Sequence, residues 1–454
     1  MWQHGRTLDV LHVIHQFPPE TNGGSESYVL SLAKLQRAAG LDAQVLTGSI
    51  HNAPQVTLDR YEHEGVPVHR IHRDDEFFDH HVKSWHPGIS ARFGELLDEL
   101  RPRVVHMHQW VRLSNDLVAT AHTRSVPAVV QLHDVYTSCP RAFRSRPDDP
   151  ACLRPVSGFF CWDCVPRYGH EPREELEEGV DLFAASLRRE LALAHTVLVA
   201  VPVIADILAH VSAMPRERYR TLTLGYEPRF VGMDKLAAPA QGERFRFAYW
   251  GGVGRHKGVH VLLQAMAKLP PTSPPCELHV LGGFESEAYE NELRALAQGL
   301  PVTFHGRFTA EQLHAVRPHC GVFPSTCIET FGFVLDECFE LGLPCITNDI
   351  GALAERSRGA ALVAKTGDAQ SLAEAMHRMV SDRPHYEYLR AGIPAPGPTM
   401  AEHSRQIAAI YQEAWSTPAP EPCAPEVPWL RRVQFLMKQR DHAFSHLIPK
   451  DGFR

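Results

Sequence analysis

The chain has 454 residues, enough for two or more domains that each bury a core of their own. Hydrophobic residues make up 44% and charged residues 22%, the balance of an ordinary globular protein and not of a disordered one. A formal charge of -7 excludes a global electrostatic footprint for nucleic acid, so partners have to be read locally.

Residues 1–9 are polar and the apolar run after them is broken by His12 and His15, so no secretory signal is visible. The longest apolar stretch, 196–208, contains Pro202 and Asp206 and cannot span a bilayer. A cytoplasmic protein is expected, and its ten cysteines then argue against a disulfide framework.

Residues 8–15 read as a strand. A loop with Gly23-Gly24 follows, then a helix with Tyr28, Val29, Leu32, Ala33 and Leu35 on one side, then a strand at 43–46. This succession opens a doubly wound sheet. Gly23 and Gly24 either let a bound group approach the backbone or simply close a tight turn. One further strand is expected within 61–71. In the loop 77–86, Asp79-His80-His81 could ligate a metal, but without more ligands a solvated loop is the better reading.

A helix at 92–100, a buried strand at 104–108 and a helix to His122 come next, then a strand at 128–134 that ends in His133-Asp134. A histidine at the carboxyl end of a parallel strand sits where such sheets bind ligands, although a satisfied core histidine is the commoner case. His106 and His108 are weaker candidates for the same role. Cys139, Cys152, Cys161 and Cys164 lie in a segment rich in Pro and Arg, and four such thiolates could form a structural zinc clip. Only the last pair has finger-like spacing, and reduced cysteines in a loop are the competing reading. A helix at 171–194, a strand at 197–201 and an edge strand at 221–225 complete a first domain, residues 1–225.

After a linker at 237–242, the second domain, residues 226–398, opens with a strand at 244–250 and the turn Gly251-Gly252-Val253-Gly254-Arg255-His256-Lys257-Gly258, ahead of a helix at 259–269. Glycines and two cations at a strand-to-helix turn suit a diphosphate. The turn lacks the Gly-Lys-Ser/Thr of a P-loop and the distal acid of a dehydrogenase fingerprint. Strands at 277–281, 302–305, 321–323, 345–347 and 361–363, a turn at 351–355 and a helix at 371–381 follow. A helix within 399–416 is expected to cross back to the first domain. Residues 417–454 read as a Pro-rich linker and a basic amphipathic tail, which could touch an anionic membrane or pack on the protein's own surface.

The stretch that organises the rest is Pro324-Ser325-Thr326-Cys327-Ile328-Glu329-Thr330-Phe331-Gly332-Phe333-Val334-Leu335-Asp336-Glu337. It predicts a strand, a tight loop and a helix that begins near Phe331 or Gly332 and stops at Gly342, before Pro344. The amides of Phe331, Gly332 and Phe333 would then face an anion, with Ser325 and Thr330 beside them and Glu329 and Glu337 flanking the spot. One acid suits a pair of sugar hydroxyls, the other a second sugar or a developing positive charge.

Two glutamates eight positions apart could be solvated surface groups, but the Pro-Ser before them and the Phe-Gly between them are less generic. With these the chain resembles the retaining glycosyltransferase family 4, whose signature is this E-x7-E. The resemblance implies the GT-B fold: two Rossmann-like α/β domains facing a central cleft, with a nucleotide diphospho-sugar on the second and an acceptor hydroxyl on the first. It implies that Glu329 contacts the donor sugar, Glu337 the ribose, His133 the donor sugar and Lys257 the phosphates, and that Gly23 and Gly24 face donor and acceptor. The family's usual arginine falls on Gly252, so either Arg255 substitutes from within the loop or the donor is held differently. Transfer would proceed with retention, without an obligatory metal, to a lipid-linked sugar, a polysaccharide or a small metabolite. A nucleotide-sugar epimerase of the same fold and a non-catalytic nucleotide-sugar-binding partner are the alternatives.

Overall fold

The computed structural model describes residues 8–75, 85–146, 149–165, 171–417, 432–433, 435–437 and 439–440. Asp79-His80-His81 and most of the segment after 417, including Trp429, Leu430, Arg431 and Lys438, lie outside them. The chain forms two compact units. One comprises 1–142, 153–225 and 400–454, the other 143–152 and 226–399.

The first unit holds strands β1 (Val10–Ile14), β2 (Ala43–Gly48), β3 (Thr57–His63), β4 (Val66–His72), β5 (Val104–Met107), β6 (Ala128–Gln131), β7 (Thr196–Val199) and β8 (Tyr219–Thr221). They line up as β3-β4-β2-β1-β5-β6-β7-β8, parallel throughout except for β3 on β4. All side chains of β1, β5 and β6 are buried, as expected of parallel strands covered on both faces. The single strand expected within 61–71 is a hairpin of β3 and β4, reversed at Glu64 and Gly65, both at positive φ. The edge strand lies at β8, earlier than 221–225. The helix Pro202–Ser212 uses an apolar run that had no assigned element.

The helix Met400–Ser416 belongs to the first unit, where Tyr28 meets His403 and Arg220 pairs with Glu413. Where the tail is described, Phe435 packs edge-on against Trp85 and His86, and Arg440 meets Glu175 at 3.1 Å.

The second unit holds β9 (Phe245–Trp250), β10 (Cys276–Leu281), β11 (Val302–Gly306), β12 (Cys320–Phe323), β13 (Cys345–Asn348) and β14 (Ala361–Ala364). Their order is β11-β10-β9-β12-β13-β14 and all pairs are parallel. The switch in direction of winding falls between β9 and β12. The loops that leave the carboxyl ends of these two neighbours carry Lys257 and Glu329. Residues 351–355, expected as a turn, form part of the helix Gly351–Arg356. The segment 143–152 packs here and not with the rest of the cysteine-rich stretch: the Ala151 amide donates to Thr326 O at 3.0 Å, and Phe143 stacks on His256 at 4.3 Å.

Candidate functional site

In the second unit two backbone features bring the β9 and β12 loops together. Gly258 has φ +73, and a Cβ there would lie 2.0 Å from Pro324 O, so only glycine allows the turn after Lys257 to press on the β12 loop. The Thr326 amide then donates to His256 O at 2.9 Å. The result is an ion pair: Lys257 Nζ donates to Glu329 Oε1 at 2.6 Å, and Ser325 Oγ donates to the same oxygen at 2.7 Å.

Burial works against both charges, and the pairing outweighs it. Lys257 is held above the ordinary lysine range despite desolvation because Glu329 faces it. The Glu329 carboxyl is held below the usual carboxylate range, with Lys257 and the Ser325 hydroxyl overcoming its burial. Both groups are therefore charged at neutral pH.

The helix expected from Phe331 or Gly332 starts later, at Val334, and ends at Glu340. Gly332 takes φ +78, which no helix permits, and a Cβ there would collide with Leu353. Arg356 donates to the carbonyls of Phe331 and Gly332 at 3.1 Å and lies 3.5 Å over the Phe331 ring. It also pairs with Asp336 at 2.6 Å. With those carbonyls turned to Arg356, the amides of Phe331, Gly332 and Phe333 donate to no carbonyl among the described residues. Thr330 and Phe331 are buried beside them.

Glu337 lies in the first turn of this helix and is fixed by two donors that no motif announces. Arg229 Nη1 meets Oε1 at 2.9 Å, and Trp250 Nε1 donates to Oε2 at 2.6 Å. Burial pushes its carboxyl above the usual range even so. Arg255 is engaged elsewhere, paired with Glu292 and lying 4.8 Å over the Tyr289 ring. Gly252 faces open space.

In the first unit, Gly23 precedes the first turn of the helix Gly24–Ala38, and both glycines are exposed. A Cβ on Gly23 would sit 2.7 Å from Glu26 Oε2. Glu26 is buried, its carboxyl pushed up by desolvation, and His15 Nε2 lies 3.9 Å from it. His133 follows β6. Its Nε2 meets His108 Nδ1 at 2.9 Å, and its ring lies 4.8 Å from that of Tyr28. Burial lowers its pKa to about 3, so it is a neutral hydrogen-bonding group and not a cation. His106 and His108 lie deeper, fully buried.

The thiols of Cys139, Cys161 and Cys164 belong to this unit, whereas Cys152 belongs to the other. Among the described residues, the groups of three or more ligand side chains gathered within 4.8 Å are His12, His106 and His108, and Asp74, Asp75 and His86. Cys139, Cys161 and Cys164, within the first unit, are not among these groups.

The family model described as "Glycosyl transferase 4-like domain" matches residues 23–225, and that described as "Glycosyl transferases group 1" matches 235–393. The chain belongs to the GT-B glycosyltransferases. The glycosyltransferase is 26% identical over 397 residues to glycogen synthase of Mycobacterium tuberculosis, covering 83% of this chain and 86% of that one. It shares its fold with sucrose-phosphate synthase from Thermosynechococcus elongatus, with TM-score 0.65 and 18% identity over 90% of this chain and 99% of the other. HepE of Anabaena in complex with UDP superposes with TM-score 0.59 at 14% identity, over 89% of this chain and all of that one.

Within the glycosyltransferase's second unit, the fold brings Lys257, Ser325 and Glu329 into direct contact and leaves Arg255 with Glu292. Arg229, Trp250 and Arg356 escaped sequence reading. Arg356 lies one residue beyond the turn expected at 351–355, and Arg229 and Trp250 are 108 and 87 positions from the acid they hold.

Proposed function

We propose that the enzyme is a retaining glycosyltransferase whose second unit binds a nucleoside diphospho-sugar. Three features support this: a charged lysine on the β9 loop, three unengaged amides after β12, and two acids set on either side of them. In this reading Lys257 and the amides of Phe331, Gly332 and Phe333 take the diphosphate, Glu329 orients the sugar, and Glu337 accepts from the ribose hydroxyls. The observation that carries the reading is the Lys257–Glu329 pair, which joins a phosphate-binding cation to a sugar-binding acid at 2.6 Å.

The bond from the anomeric carbon to the phosphate oxygen breaks while the acceptor oxygen bonds to the same face, and the acceptor proton passes to the departing phosphate. Negative charge builds on the diphosphate as it leaves, where Lys257 and the amides stabilise it, so no divalent cation is required. Glu329 lies on the side where positive charge develops on the sugar. His133, neutral, donates or accepts a hydrogen bond to the sugar, and Gly23 and Gly24 leave room for the acceptor. A hexosyl unit, a hydroxyl acceptor on a lipid-linked sugar, polysaccharide or small metabolite, and a cytoplasmic site complete the reading. No helix among the described residues is long and apolar enough to cross a membrane, and the basic tail is the segment that would touch one.

Incubating the protein with uridine, adenosine and guanosine diphospho-sugars and a panel of sugar acceptors, in the presence of EDTA, tests the reading. A glycoside with the donor's anomeric configuration, read by NMR, is expected. An inverted product, an epimerised donor formed without acceptor, or binding with no turnover would each overturn it.

A further inference from the structure

The first unit contains a group of imidazoles that the transfer reaction does not use. His12 on β1 and His106 on β5 are register partners on adjacent parallel strands. His108 is two positions beyond His106, so strand alternation puts it on the same face. All three are fully buried, and one ring nitrogen of each lies within 4.8 Å of the others.

Their remaining nitrogens find partners outside the group. His12 Nε2 meets Gln36 Oε1 at 2.8 Å, His106 Nδ1 meets Tyr411 Oη at 2.7 Å, and His108 Nδ1 meets His133 Nε2 at 2.9 Å. Gln36 comes from the helix Gly24–Ala38 and Tyr411 from Met400–Ser416, and Gln36 Nε2 donates to Tyr411 Oη at 3.3 Å. Facing inward, His12 Nδ1 and His108 Nε2 are 3.0 Å apart. His106 Nε2 has no hydrogen-bond partner although it is completely buried.

A buried orphan nitrogen costs about 1–3 kcal/mol unless something accepts its lone pair or proton. Histidines that bind a metal through one nitrogen commonly hold the other to an oxygen or nitrogen of the protein, which fixes tautomer and ring direction. Here the outer nitrogen of each ring is likewise held, by a side-chain amide oxygen, a phenol oxygen and an imidazole nitrogen. We propose that His12, His106 and His108 form a buried binding site for a transition-metal ion of the zinc class, oriented by Gln36, Tyr411 and His133.

Imidazole is the ligand such ions accept readily, at about 2.0–2.1 Å, which puts nitrogens in a tetrahedral set about 3.3 Å apart. The inward pair is hydrogen-bonded at 3.0 Å, and an ion would replace that contact. The carboxylate group Asp74, Asp75 and His86 is a poorer candidate, because Arg73 already pairs with Asp75 at 2.7 Å. Binding would move the proton of His108 to Nδ1 and so set the tautomer of His133.

The test is zinc content of the full-length protein, purified without chelator and then equilibrated with Zn2+ and gel-filtered, in wild type and in His106→Gln, Tyr411→Phe, His86→Gln and Cys161→Ser. One equivalent in the wild type is expected. It should be lost in His106→Gln, weakened roughly tenfold in affinity in Tyr411→Phe, and kept in the other two. Co2+ loaded into the wild-type protein should give tetrahedral visible bands without thiolate-to-cobalt charge transfer, a readout that does not depend on any variant folding. No retained metal, thiolate charge transfer, or loss confined to the His86 or Cys161 variant would overturn the proposal.

Discussion

Lys257 and Glu329 are 72 positions apart in sequence and 2.6 Å apart in space, joined across the loops of two neighbouring strands of one sheet. In the proposed function the pair makes the two residues one unit. Lys257→Ala leaves the half-buried Glu329 without its counter-charge, whereas Glu329→Gln keeps the shape and the Ser325 contact. Both variants should lose transfer by roughly a hundredfold or more. Lys257→Ala should also lose about 1–3 kcal/mol of stability in urea. Initial rates and denaturation curves for the two variants check this; wild-type rates in either would remove the assignment.

Glu337 owes its direction to Trp250, whose indole N–H donates to it at 2.6 Å. Trp250→Phe keeps the ring that packs on Phe323 and removes only that donor. The expected outcome is a donor KM raised several-fold with kcat little changed, since the ribose lies away from the reacting bond. Steady-state kinetics with the donor varied measures it. A fall in kcat at unchanged KM would place Glu337 at the chemistry instead.

Gly258 and Gly252 lie in the same loop and should respond in opposite ways. Gly258→Ala puts a Cβ against Pro324 O at positive φ and should cost at least about 2 kcal/mol. Gly252 faces open space, so Gly252→Arg should change stability by less than about 0.5 kcal/mol. Because that is the position where the family resemblance expects a phosphate-binding arginine, the variant should also lower the donor KM. Thermal melts and kinetics on the two proteins separate the effects.

The strands were legible because parallel strands covered on both faces appear as near-continuous apolar runs, as in Cys320–Phe323 and, apart from His12, in Val10–Ile14. The β3–β4 hairpin was not, because β3 is a polar edge strand with no buried side chain and merges with its neighbour. The helices Glu287–Leu296 and Arg383–Ala391, which each bury only two side chains, were not predicted either. At the site, glycines and acids with fixed spacing pointed to Lys257, Glu329 and Glu337. Arg229, Trp250 and Arg356 act through long-range contacts that spacing does not encode. The late start of the helix after Phe333 depended on Gly332 adopting positive φ, a conformation that the sequence permits without requiring.

His319 gives the second unit a measurable pH dependence. It is 2% exposed, accepts from the Arg246 amide at 3.0 Å, and is pushed down to about 4 by burial, with the Arg246 charge adding to the effect. The unfolded chain, with its ordinary value near 6.5, then binds the proton more tightly than the folded one. The contribution of His319 to stability is full above about pH 6.5 and is lost as the pH drops towards 4. Urea midpoints at pH 7.5 and 4.5 should converge more steeply on unfolding in the wild type than in His319→Asn, and equal slopes would contradict the assignment.

Binding of nucleoside diphosphates to the full-length protein, followed by calorimetry for wild type, Lys257→Ala and Glu337→Gln, tests most directly whether the loops after β9 and β12 form a sugar-nucleotide site. Saturable binding of at least one of UDP, ADP or GDP is expected in the wild type, abolished without Lys257 and weakened without the Glu337 carboxylate. Failure of all three to bind, or binding indifferent to both substitutions, would contradict the account.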